Sequence, residues 1–243
     1  MLPKIYIDYD GTYDEAIHSL IEKKHTKLAH AGGRLFASRL RKAVTPMLNR
    51  MLMAMESETG LSWKWPEIRC YVAHDIPFDY DNPMTIKVRN NMHDATETFF
   101  HELVHQLEMQ NEHKIIMKNP IQLKYRREHR DTLDHVFAHA VLWKVYRKVY
   151  GQKKLDRIIA GYKLWPEHYR GWQIVKQEGA DNIIRAYVKP AEPFHILKKA
   201  VEHKLAEGNK PKVLSKKTKP PKQKKPAHSR HSNQLIIKHF KKK

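Results

Sequence analysis

Cysteine occurs once in this 243-residue chain, at Cys70. A lone thiol excludes an internal disulfide framework and any cysteine-rich metal site. No apolar run reaches membrane-spanning length, and residues 1–8 lack the apolar core of a secretory signal. No membrane partner is therefore expected. The simplest location is intracellular, cytoplasmic or nucleoid-associated, or that of a viral product made inside a host cell. Internal repeats are also missing. Acidic residues are absent from positions 208–243, where thirteen Lys or Arg stand without one Asp or Glu. The whole chain carries a formal charge of +20, so residues 1–207 hold only about +7 of it.

That asymmetry divides the chain into a folded domain, 1–207, and a basic tail, 208–243. The Lys/Pro/Ser-rich stretch 208–232 has too few apolar residues to fold and is expected to be disordered. Its charge would attract the phosphate backbone of DNA or RNA with strong salt dependence. The alternative is a solubilising extension. The last eleven residues regain apolar character, which suits a short amphipathic segment docking on the domain. Gln234, Ile237 and Phe240 also resemble a sliding-clamp-binding box, with Lys241 where that box has a second aromatic.

Periodicity within the domain predicts an α+β fold that is mostly helical, with a small mixed sheet. Strands are expected at 1–8, 67–73 and 84–88, with Cys70 at a buried position between Ile68 and Val72. Helices are expected at 13–29, broken by Gly32-Gly33, and at 34–55, interrupted near Pro46. More follow at 131–150, 152–163, 166–178, 181–188 and 192–206. The methionine-rich run Met47 to Met55 reads as core packing rather than a binding surface.

His101-Glu102-Leu103-Val104-His105 reads HExxH. In a chain with 17 His, random placement yields that pattern with a chance of roughly 7%, so context must decide. Asp94 and Glu97 have capping-box spacing, which starts a helix there. On it, Phe99, Phe100, Leu103, Val104 and Leu107 share an apolar face, while His101 and His105 share the opposite one with Glu108 and Glu112. Two imidazoles four residues apart can hold one Zn²⁺. Glu102 beside them can take a proton from a water that the metal acidifies.

A catalytic zinc takes a third protein ligand. Asp131 can cap a helix on which Leu133, Val136, Phe137, Ala140 and Val141 form one apolar stripe. His135 and His139 lie on another face, which continues through Leu142 and Tyr146, so this helix should be buried between layers. Glu128 and His113 are alternative ligands. Tyr162, Trp165, His168, Tyr169 and Trp172 could line a cleft, where a Tyr or His would stabilise an oxyanion. Helix packing is the plainer reading of that group.

The motif and the helix after it resemble the zincin metallopeptidases, and the order of segments resembles the gluzincin branch. The metzincin pattern is not met, because Glu108 and Asn111 stand where it has Gly and His. The His-Gly pair of SprT-like proteases does not occur. The resemblance implies a zincin-like core in which His135 is the third ligand and His139 orients His101 or His105. Gluzincins usually carry Glu at the ligand position; the His variant resembles small phage-like and archaeal peptidases. It further implies a protein or peptide substrate that adds as a strand beside the motif helix; residues 84–88 are the candidate rim strand for it, and a plain interior hairpin strand is the equal alternative. A second function class stays open, a nucleic-acid-binding protein with a structural or vestigial zinc site. So does a combination, a protease carried to protein–DNA complexes by its tail.

Overall fold

A computed structural model describes residues 1–21 and 27–189. Met1–Pro190 make one compact unit. The expected helix 192–206, the basic tail and the terminal Gln234–Ile237–Phe240 box lie outside the described residues.

The sheet has four strands, β1 (Lys4–Asp8), β2 (Glu67–Ala73), β3 (Tyr80–Asp81) and β4 (Met84–Lys87), in the order β1-β2-β4-β3. β1 and β4 run parallel to β2, with Ile7 opposite Cys70 and Val72 opposite Ile86, while β3 is antiparallel to β4. The alternation along β2 buries Ile68, Cys70 and Val72 and leaves Glu67 and Arg69 exposed, as a period of two requires. On the opposite face, Tyr13 of α1 (Gly11–Leu20) stacks on Tyr71 at 4.5 Å. Its hydroxyl lies 2.6 Å from Thr85 Oγ1. Asp10 caps α1 by accepting from Thr12 N and Tyr13 N.

Gly32-Gly33 does not break a helix. Both residues lie inside α2 (Lys27–Val44). A Cβ on Gly33 would stand 2.1 Å from the Tyr9 ring, and one on Gly32 would stand 2.8 Å from His74 Nε2. The pair therefore serves close approach, not termination. Pro46 acts as expected: a 3₁₀ turn, Thr45–Met47, separates α2 from α3 (Leu48–Thr59). Met51 and Met55 are fully buried, so the methionine-rich run is mostly core.

The remaining helices are α4 (Met92–Gln110), α5 (Pro120–Lys124), α6 (Arg130–Tyr150), α7 (Gln152–Gly161), α8 (Pro166–Glu178) and α9 (Ala180–Tyr187). Two caps differ from expectation. Asn91, not Asp94, caps α4 by accepting from His93 N. His129, not Asp131, caps α6. Asp94 and Asp131 sit in the first turns, where a carboxylate still favours the helix N-terminus.

α6 is the hub, packed on α3, α4, α7, α8 and α9, and Val136, Phe137, Ala140, Val141, Leu142 and Val145 are fully buried along it. It is buried between layers, as its doubled apolar pattern predicts. α4 packs on β4 and α6, which carries HExxH into the interior between sheet and hub. The 84–88 segment is not a free edge. β4 lies between β2 and β3, and the two-residue β3 takes the edge nearest α4, where Gln106 Nε2 donates to Asp81 O at 2.5 Å. No described helix is long and apolar enough to cross a membrane.

Candidate metal centre

α4 buries both halves of its motif. His101 is 4% exposed and Glu102 is 8% exposed. The Nε2 atoms of His101 and His105 lie 3.1 Å apart. Ligands at about 2.0–2.1 Å in a tetrahedral shell stand about 3.3 Å from one another, so this pair is already spaced to share an ion. His105 Nδ1 is 2.7 Å from Glu108 Oε2. That bond fixes the ring and leaves Nε2 free to face the cluster. Burial pushes the His105 imidazole down, but the Glu108 hydrogen bond and charge outweigh it and raise the pKa to about 9. His101 goes the other way: burial, reinforced by His105, His135, His139 and His168, holds it well below the ordinary range.

α6 brings His135 to the same point. Its ring centroid is 5.1 Å from that of His101 and 5.4 Å from that of His105. Its Nδ1 bonds Asp131 O, one turn back. Burial, with His105 beside it, lowers its pKa to about 4. The sequence places this residue with the motif pair, and the structure brings all three rings together.

His139, one turn further on, is fully buried, and neither of its ring nitrogens has a partner. It is stacked on Trp172 of α8 at 4.4 Å and meets His101 edge-on at 5.5 Å. It makes no hydrogen bond to His101 or His105. Its expected orienting role is not what the contacts show; Glu108 is the residue that orients His105. Glu128 also stands apart. Arg170 Nε and Nη2 donate to its Oε1 at 3.0 and 2.6 Å, and that pairing holds its carboxyl below the usual range. His113 faces Lys64 Nζ at 3.3 Å.

The residue that sequence reasoning undervalued is His168. α8 carries it to a ring-centroid distance of 4.1 Å from His135 and 5.7 Å from His101. The donor atoms of His101, His135 and His168 all lie within 4.8 Å of one another. His168 was visible only as one member of an aromatic and histidine group. That group divides in the structure. Tyr162, His168 and Trp172 close around His139, with Tyr162 at 5.5 Å from it, whereas Trp165 is 64% exposed and Tyr169 has no ring contact with the cluster. A signal was available: His168 and Trp172 are i, i+4 on one helix, the spacing that made His135 and His139 conspicuous.

Glu102 has no carboxylate partner among the described hydrogen bonds. Burial raises its pKa to about 8, with His105 opposing the shift and Asp79 and Asp81 adding to it. Arg89 pairs with Asp79 and lies close enough to Glu102 to oppose the shift as well. Outside α4, the charges that act on Glu102 come from Asp79, Asp81 and Arg89, at and beside the β3–β4 hairpin.

The donor set suits a divalent transition metal. Imidazoles from α4, α6 and α8 converge: donor atoms of His101, His135 and His168 lie within 4.8 Å of one another, while His105, outside that group, reaches His101 at 3.1 Å, and Nδ1 of His101 and of His168 are buried without hydrogen-bond partners. Buried polar atoms are rarely left so. No protein-family model, curated protein or solved structure matches this chain. The reading of the site therefore rests on its own chemistry.

Proposed function

We propose that this chain is a zinc-dependent metallopeptidase, with His101, His105 and His135 holding the ion and Glu102 as general base. The observation that carries the reading is the placement of a buried HExxH pair, Nε2 to Nε2 at 3.1 Å, against His135 on a second buried helix. A bound zinc would acidify a water and polarise the scissile carbonyl.

Glu102 would accept a proton from the attacking water as the C–O bond forms. It would then deliver that proton to the amine nitrogen as the C–N bond breaks. Its burial keeps solvent from competing, and a nearby dication lowers the pKa that burial raises. Glu108 would hold the His105 ring so that Nε2 faces the ion. The substrate is a protein or peptide chain. The two-residue β3, rather than β4, is the edge at which an extended segment would lie, beside α4.

A second reading is favoured by one observation. His168 stands with His101 and His135 in a group whose donor atoms lie within 4.8 Å of one another; a zinc that took His168 beside the three proposed ligands would have a closed shell, and such sites are usually structural. The protein would then act through nucleic acid, using the thirteen basic residues of 208–243. An intracellular location, or synthesis by a virus inside a cell, suits both readings.

The deciding experiment has two parts. Elemental analysis of the purified protein should give about one zinc per chain, lost in a His101→Ala/His105→Ala double variant. Glu102→Gln should keep the zinc and the fold but cut hydrolysis of a susceptible peptide by several orders of magnitude, on the order of the 10²–10⁴-fold expected of a general base or more. Equal rates for wild type and Glu102→Gln would refute the peptidase reading.

A further inference from the structure

His168 is a histidine without an assigned task. It stands on α8, a helix that contributes neither the motif nor the third ligand. Its Nδ1 is buried and unpaired. One of its ring nitrogens lies within 4.8 Å of donor atoms on both His101 and His135. A tetrahedral zinc has four positions; in the assignment above His101, His105 and His135 would fill three, His105 through its 3.1 Å approach to His101 rather than as a member of that close group.

We propose that in the substrate-free protein His168 is the fourth ligand, so that the zinc site rests closed by its own chain. This inference rests on the metal assignment made above. The fold holds His168 in place from both sides. Thr132 Oγ1 of α6 donates to Glu167 O at 3.0 Å, one residue before it. Arg170 bonds Glu128 at 2.6 Å, two residues after it. One helical turn on, Gly171 lets α8 approach α6 so closely that a Cβ there would lie 2.7 Å from His139 Nδ1. The three anchors set α8 at a depth where the His168 ring meets His135 at 4.1 Å.

Peptide hydrolysis at this centre then requires a ligand exchange. With an ion bound, His168 would withdraw its lone pair, and the freed position would be open to an oxygen donor. No electron or proton is transferred in that step. His168 lies in the first turn of α8, and the segment before that helix, Leu164 and Trp165, is 86% and 64% exposed, so movement of the imidazole needs no opening of the core. The other ligands lie well inside the long helices α4 and α6.

The test uses the full chain loaded with zinc or with cobalt(II), compared with His168→Ala and His168→Gln. X-ray absorption of the zinc wild type should count four imidazoles, and the variants should count three plus an oxygen donor. Millimolar azide should leave the cobalt absorption spectrum of the wild type unchanged and shift that of the variants. Three imidazoles in the wild type, or an azide response equal to that of the variants, would overturn the inference and leave the metallopeptidase reading standing. A wild type that takes up no metal would overturn both. The wild-type imidazole count decides the matter even if neither variant folds.

Discussion

Gly171→Ala is the substitution whose outcome the packing fixes most sharply. Inside a helix, replacing Gly by Ala is worth about 1 kcal/mol in favour of the folded state. Here the new methyl would stand 2.7 Å from His139 Nδ1, 3.2 Å from His139 Cε1 and 3.6 Å from Thr132 O. The imidazole has no room to yield. It is fully buried and stacked on Trp172 at 4.4 Å with a 12° interplanar angle. Overpacking of this kind costs about 1–3 kcal/mol. After the helix gain, Gly171→Ala should be less stable than wild type by about 1 kcal/mol.

The reasoning is isolated by a double-mutant cycle. His139→Ala removes the ring and costs about 2–4 kcal/mol through the cavity beside Trp172. In that background the added methyl keeps only the ordinary 3.6 Å contact with Thr132 O, and Gly171→Ala should then stabilise by about 1 kcal/mol. The sign reversal corresponds to a coupling of about 2 kcal/mol, well above the scatter of independent sites. Urea unfolding followed by tryptophan fluorescence, with equal slopes in all four proteins, measures it. If Gly171→Ala stabilises the wild type by the same amount as it stabilises His139→Ala, close approach of α8 to α6 is not what the glycine is for.

Three further outcomes are expected. His135→Ala should weaken zinc binding beyond the roughly 10–100-fold that loss of an outer partner costs, while Glu128→Ala should leave zinc bound; competition with a chromophoric chelator ranks them, and the reverse order reassigns the ligand. Glu58 lies between Lys144 at 2.8 Å and Lys148 at 2.7 Å; burial opposes its charge, but these lysines outweigh burial and hold its pKa below the ordinary value. A carboxylate so lowered adds stability above about pH 4.5, and that stability disappears as pH falls through the folded pKa. Glu58→Gln should therefore cost about 1 kcal/mol at pH 7, with the two denaturation curves converging once the pH is below the folded pKa; a difference that persists in stronger acid would assign the cost to packing. Deleting residues 208–243 should abolish salt-sensitive nucleic-acid binding without altering zinc content, and unchanged affinity would move that binding onto the domain.

The sheet and the major helices were legible because their signals are local. Ile68, Cys70 and Val72 alternate with exposed neighbours over the 67–73 interval that forms β2. The doubled apolar faces of 131–150 announced a buried helix, and α6 is one. The errors share a cause. Gly32-Gly33 was read as a break because a glycine pair weakens a helix, but Tyr9 and His74 occupy the space that side chains there would need. The zincin resemblance offers residues 84–88 as a rim strand and their pattern suits an interior hairpin strand equally; the second is what forms, because the two-residue β3 takes the edge. At the glycine pair the deciding contacts are remote in sequence, and at β4 the deciding partner is a two-residue strand; periodicity carries no information about either.

The site shows the same boundary. His101, Glu102 and His105 announce themselves by spacing, and His135 by its place on a buried helix. His168 could not be ranked in this way, since its importance arises only when α8 packs on α6. That packing depends on Gly171, on Thr132 and on the Glu128–Arg170 pair. Glu128 looked like a ligand because it is an acid just before the ligand helix. It is an anchor instead, fixing the helix that presents His168. The alternative ligand and the undervalued residue thus belong to one device. A carboxylate outside the cluster sets the position of an imidazole within it, so a substitution at Glu128 should alter how readily His168 leaves the centre before it alters how tightly the other three histidines hold an ion.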